Sequence, residues 1–363
     1  MLIKEKSVIA ELGEKVVSGG RLTKKEALKL YKSNDILTLG YYGRELKKQK
    51  TGDKVFFITN RHINHTNICL NRCKFCAFSR DENEPDAYVM SIEEVVEKGL
   101  ESAKDNISEL HIVGGCHPTL PYSYYLDMIR ELHKALPSVH IQAFTAVEID
   151  YFAQISNKSI HEVLAEFKDV GLGSLPGGGA EIFSERTRAL AWEKKVGAAR
   201  WLEIMEAAHN LGINSNATML YGHIETLEER IDHMMRLRDL QDKTGGFKAF
   251  IPLAFHPMNT ELDQLSGTTG YEDIKTLAVA RLVLDNFDHI KAFWIMIGPK
   301  LAQVSLQFGV DDIDGTVVEE KITHSAGAET EEYIEKNKLI HLIKDAGYTP
   351  VERDTLYNEL NTF

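Results

Sequence analysis

The sequence predicts an α/β fold, a TIM-like (β/α) barrel with an N-terminal helical cover and a C-terminal extension. Three observations carry that expectation. Short apolar runs alternate with longer amphipathic stretches, the pattern of a parallel sheet with crossover helices. Several of the amphipathic stretches open on a hydroxyl residue followed three positions later by Glu, the signature of a capping box at a helix start. The Cys-rich, Gly-rich and His-bearing motifs come directly after apolar runs, and such barrels keep functional groups at the C-terminal ends of their strands. An open doubly wound sheet is the alternative, but its phosphate-binding G-x-G-x-x-G turn is absent from the sequence.

In chain order, Thr23-Lys-Lys-Glu26 starts a capped helix running to about residue 33, within residues 1–53, read as a helical segment packed on the barrel. The barrel core is expected over residues 54–297. Its strands are placed at 54–60 (extending toward 64), 109–113, 140–144, 171–175, 214–220, 249–255 and 290–296, where β-branched and aromatic residues gather in short apolar runs. Ser91/Glu94, Ser159/Glu162 and Thr226/Glu229 form capping boxes for helices between them. An eighth strand is placed near 310–317. Pro299 after Gly298 suits the first turn of a further helix, where the missing donor is not needed. The polar stretch 330–346 reads as a surface helix followed by a short final strand. Residues 298–363 are therefore taken as completion and extension of the barrel, not an independent domain.

The chain has 363 residues, 43% hydrophobic and 26% charged, the balance of an ordinary globular protein. A net charge of −12 argues against a nucleic-acid or anionic-membrane surface. No run approaches the roughly 20 apolar residues of a membrane span. The opening Met1 to Lys6 lacks the apolar core of a signal peptide. With free thiols suited to a reducing compartment, the expected location is cytoplasmic.

Three of the four cysteines, Cys69, Cys73 and Cys76, stand as C-x3-C-x2-C in the run Asn67-Ile-Cys-Leu-Asn-Arg-Cys-Lys-Phe-Cys-Ala-Phe78. Thiolates this close on one loop can wrap a soft metal centre. Three of them leave one iron of a four-iron cube open to a small molecule, whereas electron-transfer clusters are closed by a fourth cysteine. A Cys3His zinc site using His62 or His65 is the alternative. A disulfide framework is not needed by a chain long enough to bury its own core. The spacing, with Phe75 just before the third cysteine, resembles the signature of the radical S-adenosylmethionine family. That resemblance implies that the three cysteines hold a [4Fe-4S] cluster whose open iron binds the methionine moiety of S-adenosyl-L-methionine. One electron then cleaves the sulfonium to give a 5′-deoxyadenosyl radical. It also implies that Phe75 and Ala77 border the adenine, and that a flavodoxin or ferredoxin-type protein supplies the electron.

Gly114 and Gly115, in Val113-Gly-Gly-Cys-His-Pro118, resemble the family's glycine-rich motif, where backbone approaches the cofactor's amino group; an ordinary βα turn is the alternative. Cys116 in that turn reads as a small buried hydrophobe. Thr145 and Glu148 end the third strand, either to meet the cofactor's ribose or ammonium or to cap the next helix. Leu175-Pro-Gly-Gly-Gly-Ala-Glu-Ile182 offers backbone amides to a cavity or an anion.

Longer runs narrow the resemblance. Asn60-Arg-His-Ile-Asn-His-Thr-Asn-Ile-Cys69, Ser215-Asn-Ala-Thr-Met-Leu-Tyr-Gly-His-Ile-Glu225, Thr244-Gly-Gly-Phe247, Phe250-Ile-Pro-Leu-Ala-Phe-His-Pro257, residues 312–316 and His324-Ser-Ala-Gly-Ala328 resemble the aminofutalosine synthase branch, radical enzymes of the futalosine route to menaquinone. The implied reaction adds the adenosyl radical to the vinyl carbon of 3-[(1-carboxyvinyl)oxy]benzoate, with aryl migration and loss of a carboxylate. Dehypoxanthine futalosine cyclase chemistry, which abstracts hydrogen, is the nearest alternative. A zinc-stabilised binding protein is the non-enzyme one. A substrate with two carboxylates calls for cationic or amide donors, and Arg forks suit a benzoate. Arg61, Arg80 and Arg281 are candidates, with solvent-facing salt bridges the alternative for all three. His256, with Asn259 and Thr260, follows the sixth strand, and His223 follows the fifth as a second candidate for binding or proton transfer. Asn216 and Thr218 alternate along a strand, so both can face the barrel mouth.

Overall fold

Alternation along the strands decides which groups this fold hides and which it offers to a ligand. The computed structural model describes residues 7–104 and 106–363, so the opening Met1 to Lys6 lies outside the described residues. Seven parallel strands form one sheet in sequence order: β2 (Asn60–Ile63), β3 (Glu109–Ile112), β4 (His140–Ala143), β5 (Ser174–Leu175), β6 (Asn214–Tyr221), β7 (Phe247–Ala254) and β8 (His289–Ile290). Those are the second to eighth strands of the chain; β1 (Lys54–Ile58) belongs to a second sheet. One set of side chains, including Ile63, Leu110, Ile112, Ile141, Ala217, Met219 and Phe250, is buried in the apolar core. The alternate set, including His62, Glu109, His111, Gln142, Asn216 and Thr218, faces the space that the curled sheet encloses. The inside of this barrel thus carries polar side chains among apolar ones.

The strand expected over 54–64 is broken. Lys54–Ile58 pairs with β9 (Asp312–Gly315) and β10 (Thr349–Arg353), and β10 pairs in turn with β11 (Glu359–Thr362). At Thr59 the chain passes from this four-stranded sheet into the seven-stranded one. The hinge is fixed by a hydrogen bond from Thr59 Oγ1 to Glu352 Oε1 (2.7 Å) and by Ser108 N donating to Thr59 O (2.9 Å). Gly315 pairs with Ile58 there, where a Cβ would overlap Asn60 and Ile58.

The expected eighth strand exists as β9. Besides pairing with β1, it reaches the last strand through Ala292 N to Asp312 O (2.8 Å), and His62 N donates to Val318 O (3.0 Å) just beyond it. The segment from 311 to 318 thus spans the gap between the last and first strands of the curled sheet. Two expected strands shrink. The one expected over 171–175 keeps two residues, Ser174–Leu175, and the run 290–296 becomes His289–Ile290 followed by a helical turn, Trp294–Ile297, anchored by Trp294 Nε1 to Gly315 O (2.8 Å). A short apolar run does not by itself distinguish a strand from a buried helical turn. The single final strand expected after the last helix, Lys336–Asp345, is the antiparallel pair β10–β11.

All four capping boxes read from the sequence form, and Thr145/Glu148 makes a fifth. The N-terminal helices Lys24–Lys32 and Ile36–Thr51 pack on Leu227–Thr244 and Gly270–Val283, with Tyr31 Oη donating to Thr276 Oγ1 (2.8 Å). Among the described residues no helix is long and apolar enough to cross a membrane.

Candidate active site

The loop after β2 carries the three cysteines and is tied down along its length. Arg80 N donates to Asn67 O (2.8 Å), Cys69 N to Arg80 O (3.1 Å), Leu70 N to Cys116 O (3.0 Å) and Lys74 N to Ala191 O (2.9 Å). The last two bonds dock it on the turn after β3 and on the helix Glu185–Ala191. The docking explains the glycines. A Cβ on Gly115 would overlap the Ile68 carbonyl, and one on Gly114 would overlap the His65 ring. Close approach is therefore demanded by the cysteine loop itself, a reason the sequence reading did not contain.

Cys69, Cys73 and Cys76 are free thiols on the wall of one cavity of about 320 Å3 at the barrel mouth, a size typical of small-molecule sites. Among the described residues no three Cys, His, Asp or Glu side chains stand close enough to share one metal ion. A four-iron cube asks for a wider triangle, because each thiolate takes its own iron. The donor set fits that group. Hydrogen bonding from Cys116 pulls the Cys69 thiol down to about 5, while burial pushes Cys73 up to about 12 and raises Cys76 as well. Metal binding to such thiols displaces protons. Cys116, read as a buried hydrophobe, is buried but also hydrogen-bonds Cys69, one of the three candidate cluster ligands.

Phe75, Ala77, Gly114, Gly115, Thr145, Glu148, Asn216, Thr218 and His256 line the same cavity. Glu148 is both a cap and a cavity residue. Its carboxylate accepts from Thr145 N (2.7 Å), Thr145 Oγ1 (2.9 Å) and Gly114 N (3.1 Å), yet burial pushes it up to about 7. His256 Nε2 bonds Met296 O (2.9 Å), and Thr218 Oγ1 donates to Gly177 O (3.1 Å).

Six of the expected substrate groups, His223, Asn259, Thr260, Arg281, Arg61 and Arg80, lie outside the cavity wall. His223 is fully enclosed, with Nε2 on Leu220 O (3.0 Å), Nδ1 accepting from Ile224 N (2.7 Å), and Glu225 Oε2 at 2.9 Å. It fastens the turn after β6 and leaves no nitrogen for a substrate. Asn259 Nδ2 donates to Ser325 O (3.0 Å), and Thr260 Oγ1 to Pro257 O (2.6 Å), so both hold the loop after β7. Arg281 is buried against Asp311 and also donates to Gly309 O (2.7 Å) and Asp288 O (3.0 Å). Arg61 and Arg80 bind Glu319 (3.1 Å) and Asp86 (2.8 Å). Among the described residues no arginine lines the cavity.

Its cations are two lysines that the sequence reading missed. Lys195 pairs with Glu181 and sits 5.3 Å from the Phe75 ring centre. Burial opposes its charge, but Glu181 and the Cys73 and Cys76 thiols outweigh that and raise it above the ordinary lysine value. Lys291 lies deeper, 2.9 Å from Asp314, beside the stacked rings of His62 and His111 (4.4 Å between centres, 11° between planes). The only local signal was alternation: polar residues two apart at 60/62, 109/111, 140/142 and 214/216/218.

Residues 63–237 match the radical SAM superfamily, and residues 244–362 match the CofH/MqnC C-terminal region. The aminodeoxyfutalosine synthase of Thermus thermophilus is 48% identical over 97% of this chain and 96% of its own length. That of Streptomyces coelicolor is 45% identical over 97% and 94%. The 5-amino-6-(D-ribitylamino)uracil–L-tyrosine 4-hydroxyphenyl transferase of Methanopyrus kandleri is 41% identical over 88% of each chain. Methylornithine synthase (PylB) shares the fold alone, with a TM-score of 0.76, 17% identity and coverage of 93% of this chain and 97% of that one. The cysteine triad, the curled parallel sheet and this full-length kinship agree, and the chain belongs to the radical SAM superfamily, as an enzyme carrying the CofH/MqnC C-terminal region.

Proposed function

We propose that this enzyme is an aminodeoxyfutalosine synthase. The observation that carries the reading is that the cysteine triad opens onto the same enclosed cavity as His256, Asn216 and the polar barrel floor, so a radical formed at the loop has one place to react. The kinship at 45–48% identity over almost the whole chain supports it. Cys69, Cys73 and Cys76 would hold the [4Fe-4S] cluster, which supplies the electron that splits S-adenosyl-L-methionine into methionine and the adenosyl radical. Phe75 and Ala77 border the adenine, and Gly114, Gly115, Thr145 and Glu148 hold the rest of the cofactor.

S-adenosyl-L-methionine is consumed as a substrate. Its C5′ bonds to the vinyl CH2 of 3-[(1-carboxyvinyl)oxy]benzoate. The ring then migrates from oxygen to the adjacent carbon, one C–C bond replacing one C–O bond. The side-chain carboxyl leaves as CO2 and the extra electron is recovered, so the reaction is redox neutral. The protein's part is to hold alkene and C5′ at near-attack distance and to exclude water and hydrogen donors. Asn216, Thr218 and His256 are the wall groups placed to orient the substrate. A small flavodoxin or ferredoxin in a reducing cytoplasm is the fitting electron source.

The test is anaerobic reconstitution with iron and sulfide, followed by reductant, S-adenosyl-L-methionine and the enolpyruvyl benzoate, with products read by mass spectrometry. An adenosyl–aryl adduct one carboxyl carbon short is expected. Free 5′-deoxyadenosine without adduct moves the enzyme to hydrogen-abstraction chemistry of the cyclase type.

A further inference from the structure

The floor of the cavity is a cluster that the reading above leaves without a task. Lys291, at the end of β8, has three N–H donors, and the hydrogen bond to Asp314 Oδ1 (2.9 Å) takes one. His62 and His111 lie on adjacent strands in the same register, stacked at 4.4 Å, and Phe293 presents a parallel face to His62 at 6.4 Å and 7°. Glu109, also on the cavity wall, accepts from Asn60 Nδ2 (3.2 Å). Lys291, His62 and Glu109 are each less than a tenth exposed, yet all line the cavity.

Burying an ion pair and two imidazoles in a cavity is expensive unless something there uses them. A barrel that needed only packing would fill its interior with branched aliphatic side chains. The reaction fixes the direction in which a substrate must lie. Its vinyl carbon has to face the cofactor at the cysteine loop, so the ring and its carboxylate point away from the loop, toward the floor. We propose that Lys291, with the His62–His111 pair, is the subsite for the ring carboxylate of an aryl substrate, the aromatic ring lying against Phe293. This rests on the synthase reading and deepens it. Lys291 supplies the charge. The imidazoles, whose desolvation opposes protonation, can each offer a ring N–H. Among the described residues no arginine, the usual benzoate reader, lines the cavity, which leaves this lysine as the cation at the distal end.

The test compares the benzoate substrate with 2-phenoxyacrylate, which keeps the vinyl carboxylate and lacks the ring carboxylate. In the unsubstituted holoenzyme kcat/KM favours the benzoate. In Lys291→Met that preference is expected to fall by roughly 10- to 100-fold, the range of a charge-assisted hydrogen bond, through KM for the benzoate more than through kcat. Because the single substitution strands Asp314, the double variant Lys291→Met/Asp314→Asn is measured alongside, and the same ratio decides. An unchanged ratio in a folded variant overturns the subsite, as does an equal loss for both substrates. Failure of the unsubstituted enzyme to form adduct from either compound overturns the synthase reading itself, and the subsite with it.

Discussion

Arg281 on the underside of the barrel and Lys195 at its mouth are both buried cations facing a carboxylate, and they do opposite things. The guanidinium of Arg281 meets Asp311, Gly309 O and Asp288 O, so its donors are used up inside the protein. Asp311 in turn accepts from Ile290 N (2.8 Å) and meets His289 Nδ1 (2.7 Å). Lys195 has Glu181 alone as hydrogen-bond partner and otherwise looks over the Phe75 ring into the cavity. Both are paired with a carboxylate, Arg281 fully buried and Lys195 nearly so. What separates a structural ion pair from one available to a ligand is whether donors remain unspent on a cavity wall.

The comparison breaks first at Arg281. Arg281→Met leaves Asp311 buried and uncompensated, which is expected to lower unfolding free energy by about 3–5 kcal/mol. Adduct formation per folded, cluster-loaded molecule should be unchanged. Chemical denaturation gives the first quantity and cluster-normalised turnover the second. A selective loss of turnover would return Arg281 to the substrate site.

A similar cluster behind the cavity wall is readable by pH. Burial alone would raise the Glu225 carboxyl, but the bonds from His223 and the charges of His223 and Arg230 outweigh it and bring it down to about 2. A carboxyl whose folded value lies below its unfolded one stabilises the fold above the unfolded value and loses that contribution as pH falls through the folded value. The window is therefore from about pH 4.5 down to about 2, and the contribution is about 3 kcal/mol. In Glu225→Gln the acid limb of the stability profile should flatten over that window. An unchanged limb would mean that His223 and Arg230 do not hold the carboxylate.

These clusters also mark where the sequence stops being legible. The cysteine triad and the capping boxes are local, since all their members fall within eight residues or fewer; the boxes form as read from spacing, and the three cysteines stand together on the cavity wall. The floor has no local spacing. His62, His111, Gln142, Lys291 and Asp314 come from five strand regions, and only parallel register brings them to one level. His223 and Arg281 looked like site residues because a polar group near a strand end, or on a helix beside the barrel, has the same sequence whether it points in or out. The break at Thr59 was invisible for a similar reason. Its partner Glu352 is almost the whole chain away.

At the mouth, the double variant Lys195→Met/Glu181→Gln removes both charges together. Replacing a buried pair by uncharged groups is often nearly neutral for stability. The expected outcome is a change in unfolding free energy within about 1 kcal/mol and a drop in adduct formation of about tenfold, the size of one lost charge-assisted contact. Equal and large losses of both would place Lys195 with Arg281 as a structural cation.

The smallest effect sharpens the comparison most, because it uses one motif in two places. Ser159/Glu162 and Thr145/Glu148 are capping boxes with the same pattern of bonds, the first at the surface and the second on the cavity wall. Removing either hydroxyl, as Ser159→Ala or Thr145→Ala, should cost about 1 kcal/mol of stability, since both lose an N-cap acceptor. Only Thr145→Ala should also weaken S-adenosyl-L-methionine binding. It releases one of the three donors that hold the Glu148 carboxylate, and that carboxylate also anchors Gly114 N beside the cysteine loop. Equal stability losses with a raised KM for S-adenosyl-L-methionine in Thr145→Ala alone would show a helix cap serving a ligand site. Equal KM values in the two variants would confine Glu148 to capping.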